Sequence, residues 1–211
     1  MIQGNVPPKF GTRASLDHLR GVVVTAACIL AIAASAGCST GTDAVDQAAG
    51  SNNRFVAGDG TVQILKVRDR KAAPRVTGKL LDGTEFDLGA RRGSVVVVNF
   101  WGSWCAPCRA EAADLEAVYV QTKDAGVAFV GVNVKDKLSS AQAFQRTKKI
   151  TYPSLYDRTG RIALQFRDTP PNSIPATLVL DRQGRVAALM RKAVTAAELR
   201  PLVTAIAAEG S

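Results

Sequence analysis

Residues 94–100 read Ser-Val-Val-Val-Val-Asn-Phe, and this run limits the possible folds more than any other stretch of the chain. A β-branched run without polar alternation suits a strand covered on both faces. Val127–Val134 is a second such segment. Between them, Pro107 to Asp124 carries Ala110, Leu115, Val118 and Tyr119 at helical spacing, and Gly126 stops it. The pattern then predicts a helix over Ala141–Lys148, a strand over Ser154–Tyr156 and a short helix over Gly160–Phe166. Ala176–Leu180 and Arg185–Met190 read as strands joined by the turn Asp181-Arg182-Gln183-Gly184. A helix over Thr195–Ala208 closes the chain, with Thr195 as N-cap and Glu198 three residues on. Upstream, Thr61–Val67 alternates as an early strand, and Asp82-Gly83 within Arg75–Leu88 predicts a hairpin. The sum is an α/β layer arrangement without internal repeats.

The N-terminal part is different. Val22 to Ala36 is apolar apart from Thr25 and Ser35, and follows Arg13, His18 and Arg20. Fifteen residues fall short of the ~20 needed to cross a bilayer, and suit the hydrophobic region of an export signal. Cys28 is a small apolar residue within it. The run ends Ser35-Ala36-Gly37-Cys38, which resembles a bacterial lipoprotein signal. That resemblance implies removal of 1–37, a lipid on Cys38 and a location on the outer face of the cell membrane. An uncleaved anchor or plain secretion are the alternatives. Residues 38–60 then form a tether poor in apolar residues, and 61–211 the domain.

Charge and composition exclude several functions. The formal charge is +9; losing Lys9, Arg13, Arg20 and Asp17 with the signal leaves +7. The basic residues are scattered along the sequence with no basic stripe, so nucleic acid is not an expected partner. The chain has four cysteines, Cys28, Cys38, Cys105 and Cys108, and one histidine, His18. A structural zinc needs about four ligands, and residues 61–211 offer Cys105 and Cys108 alone with no histidine. A c-type haem site needs His after the second Cys, where this chain has Arg109. No metal and no cofactor is expected.

Cys105 and Cys108 stand where the first buried strand gives way to a helix, in Trp104-Cys105-Ala106-Pro107-Cys108. A helix N-terminus presents unpaired N–H groups and the positive end of its dipole, which favour a thiolate. Pro107 fits the first turn, where its missing N–H costs little. Three residues along a helix bring the two Cα atoms to roughly 5–6 Å, the separation a disulfide needs. Cys105 is the attacking thiolate and Cys108 resolves the mixed disulfide. Trp104 reads as a hydrophobic wall beside Cys105, and Trp101 equally as core or as part of the site.

Val-Val-Val-Asn-Phe-Trp-Gly-Ser-Trp-Cys-Ala-Pro-Cys-Arg-Ala-Glu at 96–111 resembles the TlpA/ResA-like (DsbE-like) branch of the thioredoxin family. So do Ile150-Thr151-Tyr152-Pro153-Ser154-Leu155-Tyr156-Asp157 and Ile174-Pro175-Ala176-Thr177-Leu178-Val179-Leu180-Asp181. The likeness covers about 72–208. It implies a thioredoxin fold, a central mixed sheet flanked by helices with an N-terminal hairpin extension. It also implies a cis peptide before Pro175, with Ile174 offering backbone groups to an extended substrate. Glu111, beneath the cysteine pair, could handle the proton of Cys108; a solvated helix glutamate is the plainer reading. Asn99 stands where many thioredoxins carry a proton-shuttling Asp; Asn cannot shuttle protons, and it reads as a strand-end residue bonded to backbone.

The activity so implied is thiol–disulfide exchange outside the cytoplasmic membrane. The favoured direction is reduction, with apocytochrome c cysteines as clients and electrons from a membrane thiol carrier. Ala106-Pro107 resembles the reducing members. The same pair could instead oxidise or isomerise exported proteins. A peroxidase would carry Thr where this chain has Gly102, and a copper carrier would use Met and His that the exported part lacks beyond Met190.

Overall fold

A computed structural model describes residues 58–209. The expected signal over 1–37 and the lipid site at Cys38 lie outside the described residues, as does the tether up to residue 57.

Eight strands and three α-helices are present: β1 Val62–Ile64, β2 Thr77–Lys79, β3 Glu85–Asp87, β4 Val95–Trp101, α1 Ala106–Thr122 and β5 Val127–Val134, then α2 Leu138–Lys148, β6 Ser154–Asp157, β7 Ala176–Leu180, β8 Val186–Met190 and α3 Ala196–Ala208. Six strands form one sheet in the order β1-β8-β7-β4-β5-β6. β4, β5 and β6 are parallel, and β7, β8 and β1 each run antiparallel to the neighbour before them. β2 and β3 make the separate hairpin around Asp82-Gly83. This is the mixed sheet and hairpin extension of a thioredoxin fold.

Every residue of β4 is buried, as its composition demands. Its side chains alternate between two cores. Val95 and Val97 join Leu115 and Val118 of α1 and Leu199, Val203 and Ile206 of α3. Val96, Val98 and Phe100 join Phe86 of the hairpin, Ile162 and Phe166. α2 packs its Phe144 against Trp101, with ring centroids 4.9 Å apart. Thr195 caps α3 in a full capping box with Glu198.

Two expectations need correction. The segment 160–166 is a single 3-10 turn, Ala163–Gln165, and no longer helix. The Asp157 carboxylate accepts the N–H groups of Gly160, Arg161 and Ile162. Gly160 sits at φ +73°, which a helix cannot use. Phe166 then turns inward to meet Phe100 edge to face. On α1, Ala110 is exposed, and the buried stripe runs through Cys108, Glu111, Ala112, Leu115, Val118 and Thr122.

Because β4, β5 and β6 run the same way, the loops after them leave one end of the sheet: 102–105, 135–137 and 158–175. β7 starts at that end, Ala176 pairing with Phe100. The turn 181–185 lies at the opposite end.

Candidate active site at the start of helix α1

Cys105 is the N-cap of α1, with extended backbone, and its sulfur accepts the N–H of Cys108 at 3.2 Å. The two cysteines are joined in a disulfide with Cα atoms 5.3 Å apart. Both are buried, at 5% and 2% exposure. That N–H belongs to the first turn of α1, whose positive dipole end favours negative charge on a sulfur placed there.

The loop before the pair is fixed from two sides. Ser103 donates its N–H to Asp136 Oδ2 at 2.7 Å and its hydroxyl to Oδ1 at 3.0 Å. Asn133 Nδ2 and the N–H of Lys137 donate to the same carboxylate. Arg109 Nη1 donates to the Ser103 carbonyl at 3.1 Å. At Gly102 a Cβ would lie 2.6 Å from the Trp104 ring, so only glycine lets that ring fold back over the loop. Trp104 packs partly buried against the core that contains both cysteines. Asp136 was not visible in the sequence as a site residue; its partner Ser103 lies 33 residues away.

Glu111 lies one turn beyond Cys108 and is 2% exposed, which excludes the solvated reading. Asn99 Nδ2 and the N–H of Val194 each donate to its carboxylate at 2.9 Å. Burial pushes its pKa up to about 7; the bonds from Val194 and Asn99 restrain the rise, and the charge of Asp114 adds to it. Asn99 is therefore not simply bonded to backbone. Its side chain links β4 to Glu111 and to Thr177 Oγ1 of β7, at 3.1 Å. Tyr152 is buried nearby, and its phenol is pushed up by burial and by the charges of Glu111 and Glu116.

Trp101 is a core residue. It is buried, donates Nε1–H to Ser154 Oγ at 3.2 Å and stacks on Phe144. Gly131 admits it, since a Cβ there would lie 2.6 Å from the indole nitrogen. A cavity of about 10 Å³ between Trp101, Cys108, Ala112 and Ser154 has room for about one water and for no substrate.

The Ile174–Pro175 peptide bond is cis. It immediately precedes β7, so it stands at the sheet end that carries Cys105, and Ile174 shares a core cluster with both cysteines. The sequence-derived residues Cys105, Cys108, Glu111, Trp104, Ile174 and Pro175 are thus gathered at one end of the sheet. Among the described residues no group of three or more His, Cys, Asp or Glu could hold a metal ion, and no helix is long and apolar enough to cross a membrane.

Comparison with known proteins agrees with this geometry. Residues 70–189 match the AhpC/TSA family. The thiol-disulfide oxidoreductase ResA of Geobacillus kaustophilus is 31% identical over 115 residues, 54% of this chain and 64% of that protein. The chain thus spans under two thirds of that relative's length. The thioredoxin-like protein YneN of Bacillus subtilis is 33% identical, over 56% of this chain and 68% of that protein. Among solved structures, a secreted thiol-disulfide isomerase from Corynebacterium glutamicum superposes with a TM-score of 0.68 at 33% identity. The match covers 76% of this chain and all of that one. A DsbF homologue from Corynebacterium diphtheriae gives 0.66 at 34% identity, over 74% and 99%. With the cysteine pair at a helix start and a cis-proline beside it in a thioredoxin fold, the chain belongs to the AhpC/TSA family, in its thioredoxin-like branch of TlpA/ResA-type thiol–disulfide oxidoreductases.

Proposed function

We propose that this protein is an extracytoplasmic thiol–disulfide oxidoreductase that reduces disulfides in exported proteins. The observation that carries the reading is the Cys105–Cys108 pair at the N-terminus of α1 with the buried Glu111 one turn below. In the reduced protein the Cys105 thiolate attacks one sulfur of a client disulfide, and the client's other sulfur leaves as a thiolate. Cys108 then gives up its proton, which the Glu111 carboxylate takes, and attacks Cys105. The client's second thiolate leaves, and two electrons have passed to the client as the Cys105–Cys108 bond forms. A carboxyl group with pKa about 7 accepts and returns a proton near neutral pH with little driving force wasted. Trp104 walls the site, and the backbone of Ile174, held by cis-Pro175, pairs with the extended client.

The residues before the domain supply the location. In this reading 1–37 is an export signal, Cys38 carries a lipid, 38–60 is a tether and 61–211 is the catalytic domain. Clients include apocytochrome c awaiting haem, and a membrane thiol carrier returns electrons. The likeness to a structure described as a secreted isomerase favours a second reading, oxidation or isomerisation by the same pair.

Equilibration of the purified protein against glutathione decides between them. A reductase has a potential well below that of the strong oxidants, which lie near about −120 mV. A value at that oxidising end would overturn the reductase direction. For the mechanism, Cys105→Ser abolishes insulin reduction, whereas Cys108→Ser accumulates mixed disulfides with clients. Normal insulin reduction by Cys105→Ser would overturn the assignment.

A further inference from the structure

The basic residues that look scattered along the sequence are not scattered in the fold. Lys135 and Lys137 leave the end of β5, and Arg158, Arg161 and Arg167 lie on the loop that leaves β6 and returns to β7. Neighbouring strands are about 4.8 Å apart, so these loops start roughly 5 and 10 Å from the end of β4, which leads directly to Cys105. The loop 158–175 must cross the ends of β5 and β4 to reach β7, and Phe166 pins it on Phe100, the residue before Trp101. Lys135 extends over Gly160, where a Cβ would stand 3.0 Å from Lys135 Cε. The two loops therefore form one surface beside the cysteine pair.

All five cations are exposed, and among the described residues none of their side chains makes a hydrogen bond or ion pair. The acidic residues of these loops do not offset them outwardly. Asp136 is committed to Ser103, Asn133 and Lys137, and Asp157 to the N–H groups of 160–162, leaving Asp168 as the one exposed carboxylate. At the other end of the sheet three arginines are bound internally: Arg70 and Arg185 pair with Asp181, and Arg182 binds the carbonyls of Gly93 and Ala207, while Arg92 beside Gly184 stays exposed. Five unpartnered cations beside a reactive pair are not needed for folding. Two exposed leucines stand nearby in sequence, Leu138 at the start of α2 at 40% and Leu164 on the second loop at 75% exposure.

Resting on the oxidoreductase reading, we propose that this rim of Lys135, Lys137, Arg158, Arg161 and Arg167 docks an acidic polypeptide segment flanking the client cysteine. Opposite charge around a reactive centre raises the encounter rate and orients the approach. The occupant is polypeptide, not lipid. A membrane lying on this rim would cover Cys105 and Ile174, where the client sulfur and its backbone must enter.

The test uses the full chain, reduced, with three synthetic peptides that carry the same disulfide loop flanked by Glu, Gln or Lys. Rates are normalised to those on 2-hydroxyethyl disulfide, a small neutral substrate. The expected result is exchange about tenfold faster with the Glu peptide than with the Lys peptide at low salt, converging near 0.5 M salt. In R158E/R161E the ratio falls to about one or inverts. Equal rates on all three peptides overturn the proposal, as does an unchanged ratio in R158E/R161E. Tight binding to vesicles of anionic lipid that blocks exchange with the Glu peptide overturns it in favour of a membrane-facing rim. If the neutral disulfide and all peptides stay unreduced, the oxidoreductase reading itself fails, and this one with it.

Discussion

Glu111 and Asp181 are both buried carboxylates, one at each end of the sheet, and they are held in opposite ways. Glu111 faces two neutral donors, Asn99 Nδ2 and the N–H of Val194, and burial lifts its pKa to about 7. Asp181 is buried as well, and burial pushes it upward, but the N–H and guanidinium of Arg185 and the guanidinium of Arg70 outweigh that push and lower it. Burial is common to both, so what separates them is whether a cation has been buried alongside. One end is built for stability, and the other keeps groups near their switching point.

The largest effect expected from breaking this contrast is at the far end. Arg70 and Asp181 are each 3% exposed, and Asp181→Ala leaves the guanidinium buried with Glu209 as its single acidic partner. Removing one member of a buried pair costs on the order of 3 kcal/mol. Denaturant unfolding of the oxidised protein checks this, and a loss under about 1 kcal/mol would mean that Glu209 alone suffices. Because Asp181 is lowered from its ordinary 3.8, its contribution is present above that pH and lost as the pH falls through the folded value.

Glu111 has the opposite sign. Its folded pKa of about 7 lies above the ordinary 4.5, so between those values the folded state holds a proton that the unfolded state has released. Stability therefore falls as pH rises through this window, by about 3 kcal/mol in all. Glu111→Gln removes that loss. At pH 8 the oxidised variant unfolds at higher denaturant than the parent, by up to about 3 kcal/mol, with no gain at pH 4. Its exchange rate loses the inflection near neutrality. A stability difference from the parent that stays the same between pH 4 and pH 8 would show that the carboxyl does not titrate in this window.

Much of this arrangement could be read from the sequence, and the parts that could not share a cause. The Val95–Val98 run, the cysteine pair and the cap Thr195 are local features, decided by residues within a few positions of each other. The fold places them where the pattern does, within one or two residues. Asn99 and Asp136 were misread or missed because their partners are distant: Glu111 is 12 residues from Asn99, Thr177 is 78, and Ser103 is 33 from Asp136. The segment 160–166 does not form the expected helix because Asp157, which precedes it, captures the N–H groups that would have begun one. The burial of Glu111 was suggested by family likeness alone, since an acidic residue on a helix face is ordinarily exposed.

Asn99→Ala sharpens the contrast on a smaller scale. It deletes one of the two donors that restrain Glu111, so the carboxyl rises further above about 7. The midpoint of the pH dependence of exchange then moves up by about one unit. An unmoved midpoint would leave Val194 as the sole effective restraint.

The smallest expected effect is at that second donor. Val194 N–H binds Glu111 from the residue just before the α3 cap, where Thr195 and Glu198 close a capping box. Thr195→Ala removes the cap hydroxyl and costs about 1 kcal/mol of stability. If the cap also steadies Val194, the loss is larger above pH 7, where Glu111 is ionised and needs its donor most, than at pH 5, where it is protonated. Unfolding curves at the two pH values separate these contributions. Equal losses would confine Thr195 to capping α3. A loss that grows with pH would tie the start of the last helix to the proton on Glu111, and so extend the cysteine end of the molecule to an element that touches neither cysteine directly.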